Sequence, residues 1–157
     1  MPCPVSFFIV SHGRMADTLV RAAERILPAD EGRDLRALSF DWGTRQAEIL
    51  RRVEEEAAGL DEGGVLVLLV DVVGGTPWNA LAEWASARGA GLVGGVNLPM
   101  LLRLGCGTPC RSEGVEALVN WCVEKGRSGI CAADCECAKP IVEPTVAAHP
   151  PSERGAG

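Results

Sequence analysis

The sequence predicts an α/β domain with a doubly wound, mostly parallel sheet of four strands and helices on both faces. Two observations support this prediction. Four largely apolar runs alternate with segments in which apolar residues recur at helical spacing. The runs are apolar at consecutive positions, which is typical of parallel strands buried on both faces. Strands and helices that alternate in this way favour parallel strands joined by crossover helices.

The four predicted strands share this apolar composition and cover residues 5–10, 35–40, 65–70 and 92–96. The third strand, VLVLLV, is the most apolar segment of the chain, which predicts a central position in the sheet. It ends at Asp71, and the first strand ends at Ser11, His12 and Gly13. Polar side chains therefore follow two of the buried strands directly.

Helical spacing predicts helices at residues 15–27, 44–58, 76–88 and 115–124. In the first helix the face expected to be buried carries Met15, Leu19, Ala22, Ala23 and Ile26. Thr44 is predicted to cap the second helix, and Thr76, followed by Pro77, to cap the third. After the last helix, residues 129–132 are predicted as a short edge strand.

Length and charge narrow the class of protein. The chain has 157 residues, enough for one domain. Fifteen Lys and Arg against 21 Asp and Glu give a net charge of −6, which argues against binding to nucleic acid or an anionic membrane surface. No apolar run approaches the roughly 20 residues that span a bilayer. Because no basic region precedes the first apolar stretch, we expect no signal peptide and a cytoplasmic protein.

The domain is expected to occupy residues 1–135. Residues 136–157 are rich in proline and alanine and have no hydrophobic periodicity, which is typical of a disordered tail or a linker. No internal repeat divides the domain further.

Seven cysteines and two histidines leave little scope for a metal centre. Cys106 and Cys110 form a C-x3-C pair, and Cys131, Cys135 and Cys137 form C-x3-C-x-C, whereas zinc sites more often use C-x2-C. An odd number of cysteines cannot pair completely within one chain. We therefore expect ordinary thiols, and neither a metal ion nor a cofactor.

His12 and Asp71 are the candidate catalytic residues. Ligands of open α/β sheets bind outside the carboxyl ends of the strands, where the strand order reverses. If the first and third strands are neighbours, both side chains project into one crevice at that edge. A carboxylate that accepts a hydrogen bond from one imidazole nitrogen fixes the tautomer and leaves the other nitrogen as a nucleophile.

Glycine-rich turns beside these residues predict an anion site. Gly74 and Gly75 lead into a predicted helix at Thr76, and Gly13 precedes another helix. The start of a helix offers backbone N–H groups and the positive end of the helix dipole, and the Thr76 hydroxyl can donate one more hydrogen bond. These features favour a histidine that takes up a phosphoryl group. Because the chain has no nucleotide-binding motif, the donor is expected to be another protein or a small phosphorylated compound.

The chain resembles the enzyme IIA component of the mannose-type sugar phosphotransferase system. Four segments carry the resemblance: IVSHG (9–13), LLVDVVGGTPWNA (68–80), GGVNLPML (94–101) and EGVEALVNWCVEKGRSGI (113–130). The resemblance extends over about the first 135 residues. It implies a doubly wound sheet and a C-terminal antiparallel edge strand that is exchanged between the subunits of a homodimer.

The same resemblance implies roles for individual residues. The phosphorylated histidine falls on His12, the carboxylate that orients it on Asp71, and the active-site hydroxyl on Thr76. His12 would take a phosphoryl group from the phosphocarrier HPr and pass it to a histidine on a separate enzyme IIB component. The aromatic residue often found two positions after the aspartate is replaced by Val73.

Other readings of the sequence stay open. The same fold serves as a regulatory module when phosphorylation of the histidine controls binding to a partner and no sugar is transported. A small-ligand-binding domain with an incidental histidine is a third possibility. The dihydroxyacetone kinase phosphotransferase subunit shares the fold and the early histidine but lacks segments like GGTPWN and GVNLPML. Asn97 and Pro99 are expected to form a wall of the crevice.

Overall fold

The computed structural model describes residues 5–27, 34–60, 63–104 and 114–132. Its elements follow in the order β1 (Val5–His12), α1 (Met15–Ile26), β2 (Asp34–Phe40), α2 (Gln46–Ala58), β3 (Val65–Val70), α3 (Thr76–Arg88), β4 (Gly91–Gly94), α4 (Leu98–Leu104) and α5 (Gly114–Ser128). Within these ranges no helix combines the length and apolarity needed to cross a membrane. The predicted alternation of strands and helices is confirmed.

The four strands form one parallel sheet in the order β2-β1-β3-β4. The chain passes from β1 to β2 on one side and then returns to β3 on the other, so the strand order reverses between β1 and β3. That reversal is the place where open α/β sheets bind their ligands. The register puts His12 opposite Phe40 of β2 and Val10 opposite Val70 of β3.

Both faces of the sheet are buried, which explains why the strands are apolar at consecutive positions. One face packs against α1, α4 and α5, and the other against α2 and α3. The central strand β3 contributes to both cores, with Val67 and Leu69 on the first face and Leu66, Leu68 and Val70 on the second. The predicted doubly wound class is therefore confirmed.

Helix α1 buries only part of the predicted face, since Ala23 is buried and Leu19 packs against the core. Its buried residues are Ala16, Val20 and Ala23, whereas Met15 and Ile26 are about half exposed. The short turn between β1 and α1 fixes the rotation of the helix, and the Ser11 hydroxyl accepts a hydrogen bond from the Ala16 amide at 2.7 Å. Periodicity gives the width of an apolar face, but here the turn decides which edge of it meets the sheet.

The two predicted helix caps are each wrong by one residue. Arg45 and Gly75 occupy the N-cap positions of α2 and α3, and neither cap makes a side-chain hydrogen bond. The Thr44 amide donates to the Asp41 carbonyl at 2.9 Å, so Thr44 belongs to the turn before α2. Thr76 is the first residue of α3 rather than its cap.

The predicted edge strand at 129–132 does not form in this single chain. Helix α5 continues to Ser128, and the Gly129 and Ile130 amides then donate to carbonyls of its last turn, at 3.3 and 3.1 Å. A strand needs a partner to satisfy its backbone groups, and helical turns supply acceptors locally. The boundary at 135 and the predicted tail lie outside the described residues.

Two of the seven cysteines lie in the described ranges, and both are free thiols. Cys122 is buried between α5 and the sheet, and burial raises the pKa of its thiol to about 12. Cys131 is exposed after α5. No group of three metal-ligating side chains occurs within the ranges that the structure describes.

Ser11 gives a direct test of the junction between β1 and α1. Its side chain is fully buried, and replacing it with alanine leaves the buried Ala16 amide without its acceptor. We expect Ser11→Ala to lower the free energy of unfolding by about 1–2 kcal/mol in chemical denaturation. The exposed Ser86→Ala on α3 is the control and should stay within about 0.5 kcal/mol of wild type. Equal stabilities for the two variants would contradict this account of the junction.

Candidate functional site

The candidate site lies at the carboxyl ends of β1 and β3, where the strand order reverses. His12 is the last residue of β1, and Asp71 follows the last residue of β3. The two strands are neighbours, which is the condition under which the two side chains were expected to meet. The Asp71 amide still donates to the Val10 carbonyl at 3.3 Å, so the sheet holds the aspartate in place beside β1.

Asp71 binds His12 through two hydrogen bonds to the same carboxylate oxygen. Oδ2 lies 2.7 Å from the imidazole Nδ1 and accepts the His12 backbone N–H at 2.8 Å. The other oxygen, Oδ1, accepts the backbone N–H of Val72 at 2.8 Å. Both side chains are largely buried, with 11% of His12 and 7% of Asp71 exposed. The carboxylate is therefore fixed by three hydrogen bonds in a site with little water.

These contacts assign the imidazole tautomer. An ionised carboxylate only accepts hydrogen bonds, so the proton between His12 and Asp71 belongs to Nδ1. In the neutral ring the other nitrogen, Nε2, then carries a lone pair. No group in the described part of the chain makes a hydrogen bond to Nε2. The arrangement can present a nucleophilic nitrogen whose developing positive charge is balanced by Asp71.

The turn from Gly74 to Gly75 approaches the imidazole closely. A Cβ atom on Gly75 would lie 3.1 Å from Cε1 of His12 and 2.8 Å from Cγ1 of Val72, so a side chain at this position would displace one of them. Gly74 has a φ of +78°, which other residues rarely adopt. The two glycines therefore let the backbone turn beside the ring into α3.

The amides of the three glycines predicted to bind phosphate are not equivalent. The Gly13 amide donates to the Phe40 carbonyl at 2.7 Å, and the Gly75 amide donates to the Val72 carbonyl at 3.3 Å. Gly74 and Thr76 have amides with no acceptor among the described residues, and Thr76 is in the first turn of a helix, where amides have no helical partner. Gly13 and Gly75 thus shape the site, and Gly74 and Thr76 are better placed as donors.

Trp42 was missed by the sequence reasoning. Its indole stacks on the His12 imidazole, with ring centroids 4.8 Å apart and an angle of 15° between the planes. It follows β2 by two residues, and β2 ends at Phe40, opposite His12. Applying the rule about strand ends to the second strand, as well as to the first and third, would have pointed to it.

Asn97 and Pro99 lie at the end of β4, one strand further from His12. Asn97 Oδ1 accepts the Met100 amide at 2.9 Å, so this side chain stabilises the start of α4. Pro99 contacts the end of α5, close to Gly129. Val73 is 62% exposed and lines a groove beside β4 together with Trp78. Asn97 also lines this groove, whereas Pro99 is the second residue of α4.

Comparison with known proteins identifies the family of this site. The family described as PTS system fructose IIA component, EIIA-man, matches residues 6–120. The mannose-specific EIIAB component of the phosphotransferase system of Escherichia coli strain K12 is 29% identical over 140 residues, which cover 87% of this chain and 41% of the relative. The chain thus spans about two fifths of the length of this curated relative.

Solved structures show the same fold. The phosphotransferase system component EIIA of Streptococcus agalactiae superposes with a TM-score of 0.68 at 22% identity, covering 82% of this chain and 96% of that one. The mannose/sorbose specific IIA subunit of Enterococcus faecalis gives 0.65 at 23% identity, covering 86% and 97%. With the family match across most of its length, the chain belongs to the EIIA-man family, the mannose-type IIA components of the phosphotransferase system.

Proposed function

We propose that this chain is a phosphoryl carrier of a phosphoenolpyruvate-dependent sugar phosphotransferase system. In this proposal His12 accepts a phosphoryl group from phospho-HPr and passes it to a histidine on a separate enzyme IIB component. The observation that carries it is the His12–Asp71 pair in a member of the EIIA-man family, joined at 2.7 Å through Nδ1, with no described residue bonded to Nε2. The family supports phosphotransfer, and the pair supplies a nucleophile for it.

In the proposed transfer, bonds and charges balance without a metal ion or a nucleotide. The Nε2 lone pair of His12 attacks the phosphorus of the donor phosphohistidine, and a new N–P bond forms. The donor N–P bond breaks, and its electron pair returns to the donor ring nitrogen. His12 keeps its Nδ1 proton and becomes formally cationic, while the donor ring, protonated on its other nitrogen, becomes neutral. Transfer to IIB reverses these roles.

Asp71 and the start of α3 are proposed to stabilise the charges of this step. The Asp71 carboxylate balances the cationic ring of phosphorylated His12, at a site where burial strengthens the attraction. The phosphoryl oxygens would accept hydrogen bonds from the Gly74 and Thr76 amides and the Thr76 hydroxyl, near the positive end of the α3 dipole. Gly13 and Gly75 contribute by shaping the backbone around the ring.

We also propose that the protein acts as a homodimer that exchanges its C-terminal segments. Among the described strands β4 lies at an edge of the sheet, so one side of its backbone has no strand partner. A groove of about 350 Å³ beside it is lined by Val73, Trp78 and Ile130, and Ile130 is 80% exposed. A strand from the C-terminal segment of the second copy would pair with β4 and cover this groove.

Phosphorylation of His12 is the main prediction. Purified protein is incubated with phosphoenolpyruvate, enzyme I and HPr, and its intact mass is measured. We expect the mass of one phosphoryl group to be added, in an acid-labile form, and His12→Ala to abolish the gain. His149→Ala is the matched control and should gain the group normally.

Absence of a mass gain with a cognate HPr would overturn the carrier and favour a ligand-binding domain. Candidate IIB proteins are then added to the phosphorylated form. Rapid loss of the phosphoryl group is the result expected of a carrier. Retention of the group with every IIB protein of the source organism would instead favour a regulatory module.

Replacing Asp71 with asparagine tests the role of its charge. Asparagine keeps the size of the side chain but cannot balance a cationic imidazole, and a hydrogen bond to a charged group is worth about 1.5–3 kcal/mol. We expect Asp71→Asn to slow phosphorylation by HPr about 10- to 100-fold in rapid-quench measurements, with a native circular dichroism spectrum. Asp41→Asn, an exposed change of equal charge, should have little effect. Unchanged kinetics in Asp71→Asn would remove the aspartate from the mechanism.

The dimer is tested by sedimentation equilibrium. We expect a dimer for the full chain and a monomer after deletion of residues 133–157. Ile130→Asp should weaken dimerisation about tenfold or more, because it places a charge in the covered groove. The control is Ile26→Asp, which changes an exposed isoleucine on α1. It should leave the dissociation constant of the dimer unchanged. A full chain that stays monomeric at micromolar concentration would contradict the exchange.

A further inference from the structure

The phosphotransfer scheme leaves Trp42 without a role. Its side chain is 78% exposed, although indole is among the most costly groups to leave in water. The tryptophans at 78, 84 and 121 are all partly buried and pack against one of the two cores. Trp42 belongs to neither core, and its one ring contact among the described residues is the stack on His12. The exposed indole therefore calls for an explanation other than packing.

The turn after β2 holds Trp42 over the imidazole. The Phe40 carbonyl accepts the Gly13 amide at 2.7 Å, which ties the end of β2 to the residue after His12. The Asp41 carbonyl accepts the Thr44 amide at 2.9 Å and closes the turn that presents Trp42. A Cβ atom on Gly13 would lie 3.5 Å from the indole Nε1, so the indole extends over Gly13 as well. The stack is thus fixed from both strands.

The charge of the imidazole changes during the proposed reaction, and this change alters its interaction with the indole. Neutral His12 offers the indole an ordinary aromatic contact. Once Nε2 bonds to phosphorus while Nδ1 keeps its proton, both nitrogens are substituted and the ring is cationic. Among aromatic side chains, tryptophan attracts cations most strongly through its ring face, and the attraction increases where water is excluded. Only 11% of the His12 side chain is exposed.

We propose that Trp42 is a positioning residue that stabilises the phosphorylated, cationic form of His12 by stacking on it. The proposal rests on the proposed function of His12. Asp71 balances the charge from the Nδ1 edge of the ring, and Trp42 does so from one face. An interaction that strengthens as the charge develops favours the transition state and the product over the free enzyme. Trp42 also covers one side of the ring against water.

Substitutions at Trp42 separate the effect of the aromatic face from that of apolar cover. Trp42→Phe keeps an aromatic face, Trp42→Leu keeps apolar area alone, and Trp42→Ala removes both. Trp84→Phe, on α3, is the control for loss of a tryptophan. Because Trp42 is exposed and outside the cores, the three Trp42 variants should keep the wild-type unfolding midpoint within a few degrees.

The measured quantity is the equilibrium constant for phosphoryl exchange between HPr and this protein, obtained from intact masses. We expect Trp42→Ala and Trp42→Leu to lower it about 3- to 10-fold, and Trp42→Phe to restore most of the loss. Phosphorylation of the wild type should also change tryptophan fluorescence. That change should persist in Trp84→Phe and be absent in Trp42→Phe.

The outcomes distinguish this inference from the function on which it rests. Wild-type protein that gains no phosphoryl group would overturn the proposed function. A phosphorylated wild type with unchanged equilibrium constants in Trp42→Ala and Trp42→Leu would overturn the role of Trp42 alone. A wild-type equilibrium constant in Trp42→Leu, together with a lowered one in Trp42→Ala, would mean that the residue only excludes water. That result would also contradict the proposal.

Discussion

Parallel pairing of β1 with β3 is the constraint on which the candidate site depends. The paired residues of β1 and β3 end at Val10 and Val70. Beyond them, the Asp71 side chain bonds to β1. The His12 amide donates to the Asp71 carboxylate at 2.8 Å, and the same oxygen holds the imidazole. One carboxylate oxygen thus binds both the end of β1 and the histidine ring, and rotating the ring away would break the Nδ1 hydrogen bond.

Rigidity at this point suits the proposed transfer, in which His12 meets two different partners in succession. A ring held by Asp71 and covered by Trp42 has few orientations to lose when a donor or an acceptor approaches, so less ordering entropy opposes the encounter. The groups around it divide the work. In the proposed transfer, Asp71 and Trp42 act on the ring, while the amides and hydroxyl at the start of α3 bind the phosphoryl oxygens. Burial of the Asp71 carboxylate strengthens the interactions with the ring. The exposed edge of the site leaves room for the partner.

The strands and the central pair could be predicted because their signals are local. Unbroken apolar runs such as VLVLLV have few uses other than a strand buried on both faces, and a polar residue directly after such a run must lie at its carboxyl end. Helix rotation and capping were predicted less well. The phase of α1 depends on a two-residue turn and a buried serine, and the caps of α2 and α3 are backbone turns with no side-chain signature. The predicted edge strand at 129–132 does not form, because a strand depends on a neighbouring strand that is distant in sequence.

The sequence by itself determined the fold class, the family and the two residues most suited to phosphoryl chemistry, since these follow from apolar pattern and motif. The tertiary structure decided which groups surround the ring. Trp42 reaches His12 only because β2 lies beside β1 in a register that sets Phe40 opposite the histidine. The Gly13 amide is engaged only because the Phe40 carbonyl of β2 comes within reach. Such contacts join residues far apart along the chain, and only packing of the sheet brings them together.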